Sequence, residues 1–493
     1  MSAQLSADKP TIKILLYTDD PQISPSNKVG EFLGLGSMIE RMQQHTPAFA
    51  GLDTKWVSRN SKDHADNKIN VVLAREVEET GQPFDEIWFF GLHQANTEKF
   101  SLGAFRGGRE SELNATEVAA LEQWMSTRDG FHGGGVLMTG DHANATPPKL
   151  IPSPESPCGD TSAGASFLGL GRAIGRCVPR AGLLRKWEGP PTVLDSFSTI
   201  VGSGFQLDDV PQKLDLRNVN LDGDPDGNGQ PHPLFFYRAG ESIELFPDHA
   251  HEGAVIIPAA FDAAVWPSGP KGQTQPQVVA FGRDKRRDKP LNIVATYNGD
   301  LAGVGRIVAH STWHHYMNLN LRGFPNPGPI GSPSDQIGQF YANLAIWLAP
   351  RSKRTQMARA MCWELARYTL LLEERADPGH LGDVANSVLL RVASPCEIHE
   401  LLQVLPPIEH GGLPPATAAV DSDQPSRELF LGVVLDTYHQ VMVQAEDEDE
   451  GVADEAEADD VDQLIKVAFK RTFNEQETRL RKKLEAVIEK KPA

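Results

Sequence analysis

Apolar residues in the first third of the chain come in short unbroken runs, separated by stretches of helical spacing. Thr11 to Thr18 is one such run, closed by Asp19, Asp20 and Pro21. A run without alternation suits a strand covered on both faces. Gly30 to Gln44 then sets Phe32, Leu35, Met38, Ile39 and Met42 at helical intervals. Asp53 to Ser58 predicts a second, shorter strand, Asn70 to Glu79 a helix, and Phe84 to Phe90 a third strand ending in Gly91, Leu92, His93 and Gln94. Asn114 and Glu117 have capping-box spacing, so a helix starts there and runs to about Thr127, with Val118, Leu121, Trp124 and Met125 on one face. Gly133 to Gly135 reads as a glycine turn, Val136 to Thr139 as a buried strand, and Gly140 to Asn144 as a tight turn carrying Asp141 and His142.

This alternation of strand and helix predicts βαβ units. The expected fold class is α/β, with a mostly parallel sheet and helices on both faces, of flavodoxin or amidotransferase-like type. Residues 145–300 break the rhythm. Pro, Gly and Ser are frequent there, and short runs such as Leu234 to Tyr237 and Ala254 to Pro258 read as strands. This stretch is expected to be a long insertion with β-structure of its own. The pattern resumes at Leu291 to Tyr297 and at Gly305 to His310, which leads into Ser311 to Tyr316. A helix from Asp335 to Leu348 follows, and Pro350 closes the domain. The expected organisation is a polar N-terminus (1–10), an α/β domain (11–350), a helical region (351–444), an acidic linker (445–462) and a charged helix (463–493).

Composition narrows the classes. Across 493 residues the chain is 40% hydrophobic and 23% charged, as expected of a globular chain. The net charge of −19 disfavours nucleic acid and anionic membrane as partners, although much of it sits in the acidic run. No apolar stretch is long enough for a transmembrane helix, and the first ten residues lack the apolar core of a signal peptide. The four cysteines, Cys158, Cys177, Cys362 and Cys396, form no CxxC pair. That pattern fits a reducing cytoplasm and argues against a thiolate zinc site.

Ligands of parallel sheets sit beyond the carboxyl ends of the strands. Four strand ends deliver polar residues there: Asp19 and Asp20, His93, Asp141 and His142, and His310 with His314 and His315. Such a set suits either a divalent metal or general acid–base work. Asp141, His142, His310 and His314 are the candidate catalytic residues. Asp19, Asp20, His93, His315 and Asn144 are candidates for holding a small-molecule substrate, and His93, Asp141 and His310 for holding a metal. Taken singly, each could be a turn, a cap or an ordinary structural histidine. Neighbouring histidines on an extended chain point in opposite directions, so only one of His314 and His315 should enter a shared site unless the chain turns. Tyr316, Asn318 and Asn320 could line the same wall, or form an aromatic lid packed on the sheet. Asp222, Asp224 and Asp226 have the spacing that opens a calcium loop, but Pro233 stands where an EF-hand needs Glu. A bare acidic turn is the plainer reading of them. The glycine-rich stretches at 34–36 and 164–175 lack the Lys-Ser/Thr of a phosphate loop, so no nucleotide cofactor is expected.

Together, IKILLYTDD, FDEIWFFG, GGGVLMTGDHA, GRIVAHSTWHH and the helix ending in AIWLAP resemble the class I glutamine-amidotransferase-like superfamily, in its ThuA-like (trehalose-utilisation) branch. The resemblance covers roughly residues 11–350. In amidotransferases the turn after the GGG strand carries a nucleophilic Cys; Asp141 stands there in this chain, so glutaminase activity is not implied. ThuA-like proteins also lack that Cys, and the resemblance implies chemistry on sugars or keto-sugars. A hydrolase or lyase-like enzyme is therefore expected. The other reading is a catalytically inactive scaffold whose C-terminal helices recruit a partner protein.

Overall fold

The computed structural model describes residues 9–18, 23–28, 34–59, 64–90, 113–127, 132–139, 184–187, 198–200, 205–207, 211–219, 230–238, 241–247, 253–256, 268–269, 272–273, 277–284, 289–302, 304–311, 313–321, 323–369 and 432. The chain divides into two compact units. One comprises Thr11–Thr46 and Gly51–Lys353; the other comprises Met1–Pro10, Pro47–Ala50 and Arg354–Ala493. In the second, the described structure is chiefly the part of helix Arg351–Thr369 that lies beyond its first turn. The rest of the expected helical region, the acidic linker and the charged terminal helix fall almost wholly outside the described residues.

The first unit is an α/β fold built on one eight-stranded, mostly parallel mixed sheet. Its strands are β1 (Thr11–Thr18), β2 (Gly51–Ser58), β3 (Glu86–Phe90), β4 (Gly135–Thr139), β5 (Asp215–Leu216), β6 (Gln277–Asp284), β7 (Lys289–Tyr297) and β8 (Ile307–His310). They lie in the order β2-β1-β3-β4-β8-β7-β6-β5. The five from β2 to β8 are parallel, whereas β7, β6 and β5 add on antiparallel. β3 and β4 are buried at every position, as their continuous apolar runs predict. β2, at the edge, is only half-buried along most of its length.

Six helices are described: α1 (Gly36–His45), α2 (Ile69–Thr80), α3 (Ala115–Met125), α4 (Asn318–Leu321), α5 (Pro333–Leu348) and α6 (Arg351–Thr369). On one face of the sheet, Leu15, Tyr17, Ile87, Phe89, Val136, Met138, Ile307 and Ala309 form a core with Ile69, Val72 and Leu73 of α2 and Leu121, Trp124 and Met125 of α3. Alternation sends their neighbours Trp88, Phe90 and His310 to the opposite face. There α1 and α5 pack on each other, and Phe340 of α5 reaches His310 with ring centroids 6.0 Å apart.

Local chemistry sets the ends of these elements. Asn114 accepts from the N–H groups of Thr116 and Glu117 while Glu117 reaches back to Asn114, so the expected capping box is present. The glycine run does more than turn the chain. Gly133 has φ +71°, and a side chain on Gly135 would strike the Leu348 carbonyl at the end of α5. That close approach seats α5 against the sheet.

Two expectations change. Leu234 to Tyr237 is not a strand: Pro233–Phe235 is a 3-10 turn, capped by the His232 side chain on the Leu234 N–H at 3.3 Å. Pro233 fixes φ and offers no N–H to a ladder, which favours the turn. The 145–300 stretch does carry β-structure of its own, among the described residues in five two-stranded antiparallel ladders that include Gly253–Ile256 paired with Leu184–Trp187, but β5, β6 and most of β7 also join the main sheet. Among the described residues no helix is long and apolar enough to cross a membrane.

Candidate functional site

The strand order β2-β1-β3-β4-β8 follows the doubly wound pattern in which the order reverses between β1 and β3, and ligands sit at that reversal beyond the carboxyl ends. The described ends flanking that reversal are Thr18 and Phe90, and Thr139 and His310 end the next two strands along the same edge. The Thr139 hydroxyl donates to the Phe89 carbonyl at 2.8 Å and ties two of these ends together.

His310 is the last residue of β8 and 1% exposed. The chain then turns through a short 3-10 segment, His314–Tyr316, instead of staying extended. This turn swings His315 back over the strand, so that its Nδ1 lies 2.8 Å from Nε2 of His310. Nδ1 of His310 meets the Tyr316 hydroxyl at 2.7 Å. The Tyr341 hydroxyl donates to the His315 carbonyl. Phe246 lies against both imidazoles, with centroids 5.5 Å from His310 and 5.4 Å from His315. Tyr316 in turn packs edge-on against Phe90 at 5.4 Å and Trp88 at 6.4 Å. The result is a chain of three polar rings inside an aromatic box. Burial, with the neighbouring His315 adding to it, holds the His310 imidazole well below its usual range, so it is neutral. Burial, with Tyr341 beside it, holds the Tyr316 phenol protonated.

Both ring nitrogens of His310 are engaged by protein partners, so in this arrangement neither is available to the metal ion expected of it. Among the described residues no group of three or more His, Cys, Asp and Glu side chains is placed to hold a metal. Asp19, Asp20, His93, Asp141, His142, Asn144, Asp222, Asp224 and Asp226 all fall outside the described residues, as does the side chain of His314. Of the sequence candidates the structure therefore brings together His310 and His315. It adds Tyr316, which was read as a wall residue, and Phe246, Phe340 and Tyr341, which nothing in local spacing marks.

Tyr316, Asn318 and Asn320 are all buried. Asn318 accepts from the Ser37 N–H at 2.8 Å and donates to the Ser26 carbonyl at 2.8 Å. It thereby caps α1, whose own N-cap residue Leu35 supplies no side-chain bond. Asn320 is different: both its amide nitrogen and its amide oxygen are buried without a hydrogen-bond partner.

A second buried network stands on the opposite face, near the carboxyl ends of β1 and β2. Arg59 forms a two-pronged ion pair with Glu117, with Nη2 at 2.8 Å from Oε2. Its Nη1 also reaches the Tyr17 hydroxyl at 3.3 Å. Glu117 further accepts from the N–H groups of Ile69 at 3.1 Å and Asn114 at 2.9 Å. Burial alone would raise the Glu117 carboxyl, but the Arg59 guanidinium and these N–H donors hold it below the usual range. Sequence reading found the Asn114 and Glu117 box but not Arg59, which lies 58 residues away.

No family model, curated protein or solved structure matches this chain.

Proposed function

We propose that the chain is a hydrolase or lyase-like enzyme of the amidotransferase-like, ThuA-like kind, acting on a small polar, sugar-like substrate at the carboxyl edge of its parallel strands. The observation that carries this reading is the position of the His310, His315 and Tyr316 chain at that edge of a β2-β1-β3-β4-β8 sheet. Asp141 and His142 are the groups proposed to meet the substrate, with Asp19, Asp20, His93 and Asn144 around it. His310 and His315 stand behind them as a buried support. His310 does not fit the metal role, and no step of the proposal runs through a metal. Four scattered cysteines support a cytoplasmic setting.

The test is turnover of a panel of nitrophenyl esters, nitrophenyl glycosides and disaccharides by the full chain and by Asp141→Asn. One substrate class should be turned over by the wild type and slowed roughly 100-fold or more in the variant, the usual scale for losing an acid–base group, at an unchanged melting temperature. Equal rates in the two proteins overturn the proposal.

A second reading has one observation in its favour. His310 and His315 are 1% and 0% exposed, set in aromatic packing as core histidines are. On that reading the fold is a binding scaffold, and the region after residue 350 recruits a protein partner. It expects the whole panel to be inert.

A further inference from the structure

The three-ring chain has a direction, and the hydrogen bonds decide it. Tyr316 is a neutral phenol with one proton to give, and His310 is its hydrogen-bond partner among the described residues. A buried O–H with a single partner is satisfied only if it donates to that partner. Nδ1 of His310 must then accept, which puts the His310 proton on Nε2. That proton points at Nδ1 of His315, 2.8 Å away, so His315 accepts at Nδ1 and carries its own proton on Nε2. The reverse polarity would put a proton on Nδ1 of His310 and leave the Tyr316 hydroxyl proton without this acceptor.

The surrounding box keeps the chain in register. Phe246 faces both imidazoles, and Tyr341 pins the His315 backbone through its carbonyl. His310 is fixed by its strand, where it pairs with Val294 on β7 and Thr139 on β4. Neither imidazole can flip its ring without breaking a bond to the next.

We propose that Tyr316 and His310 are positioning residues that fix His315 in the tautomer protonated at Nε2, with Nδ1 taken up by His310, a form unsuited to act as a base. The tautomer stands on the hydrogen bonds alone. Its consequence for catalysis rests on the function proposed above. A His315 locked this way cannot take a proton at Nδ1, so the proton abstraction expected of an acid–base pair must come from another group.

The experiment is side-chain nitrogen NMR on full-length protein labelled at histidine, at neutral pH. The His310 and His315 signals are assigned by their loss in His310→Gln and His315→Gln. Both rings should show the Nε2–H tautomer, with the other form at least roughly tenfold less populated, the ratio expected when one buried hydrogen bond is lost. Tyr316→Phe removes the donor and should give a mixture of tautomers at His315. A wild-type His315 protonated at Nδ1 overturns the proposal, whether or not the variants fold. A single unchanged tautomer in a folded Tyr316→Phe also overturns it, because Tyr316 is then not the group that sets the direction. An inert substrate panel with the tautomers as assigned fails the enzyme reading and leaves the lock in place.

Discussion

Glu86 is a carboxylic acid where the fold has no use for a charge. It opens β3 on the same face as Trp88 and is 0% exposed. Its Oε2 accepts from the Trp88 indole N–H at 2.8 Å, and its Oε1 has no partner. Burial, opposed by the Trp88 bond and reinforced by the neighbouring Asp85 charge, pushes the carboxyl well above its usual range. The folded protein therefore keeps this proton through pH values at which the unfolded chain, titrating near the ordinary value of about 4.3, has lost it. Between the two values the folded state binds more protons than the unfolded state, so stability falls as pH rises. The slope is about 1.4 kcal/mol per pH unit from this one group. Below the unfolded value the penalty is absent, and above the folded value it is complete.

Glu86→Gln removes the titration and keeps the volume, and its amide oxygen can still accept from Trp88. Urea unfolding of wild type and variant from pH 4.5 to 7.5 should show a stability difference that grows in the variant's favour as pH rises. Over the first two pH units above the ordinary value the gain is about 2.7 kcal/mol if the folded value lies beyond them. Other groups titrate over the same range, but they are common to both proteins and cancel in the difference. Parallel profiles would refute the reasoning, for they would mean that Glu86 is ionised in the fold or that its protonation is not coupled to folding.

Three further outcomes follow from the same geometry. Glu117→Ala leaves Arg59 buried without its carboxylate and unfastens the starts of α2 and α3, so it should cost about 3–5 kcal/mol in chemical denaturation. Asn320→Leu removes two buried unpartnered polar atoms at nearly constant volume and should raise stability by about 1–3 kcal/mol; a loss would mean that the amide has a bound partner in solution. Gly338→Ala places a methyl group against the His45 ring, which sits 2.4 Å from the added carbon, and should break the 3.0 Å contact between His45 and Asp335. A fall in melting temperature that largely disappears in the background of His45→Ala would confirm that the clash is with this ring.

The parallel half of the sheet was legible because its strands carry unbroken apolar runs. Thr11–Thr18 matches to the residue, and β2, β3 and β4 match within two residues at their starts and not at all differently at their ends. The antiparallel half was less so. β5 has two residues, and β6 lies in a stretch broken by Pro and Gly, where local pattern gives no sign of its sheet partner. Glu86 was hidden for the opposite reason. One acid in an otherwise apolar strand reads as a position that faces water, and only tertiary packing makes it a buried acid. At the candidate site, His310 was placed at the correct edge by its strand. The meeting with His315 depended on a turn that adjacent histidines do not announce.

What holds that turn in place is written far away in the sequence. α4 follows Tyr316 and is only four residues long, too short to be stable by itself. Asn318, at its start, bonds Ser37 and Ser26, and Gly34 accepts from the Asn318 N–H at 2.7 Å. At its end the Leu321 carbonyl, left without an intrahelical partner, accepts from the Arg41 guanidinium at 3.2 Å. Arg41 also bonds the Phe324 carbonyl at 2.7 Å, the Ser334 hydroxyl at 3.2 Å and both oxygens of Ser37. A guanidinium has five N–H donors, and these partners take all of them. Burial lowers the Arg41 pKa, yet the cation is supported here by carbonyl and hydroxyl dipoles at the end of a helix, where positive charge is favoured. One side chain of α1 therefore joins α1, α4 and the start of α5, while Asn318 joins α4 back to the start of α1. The His315 and Tyr316 rings sit one turn before this clamp. Their register over His310 is consequently set by α1 as much as by the strand that carries His310, across a sequence separation of 280 residues.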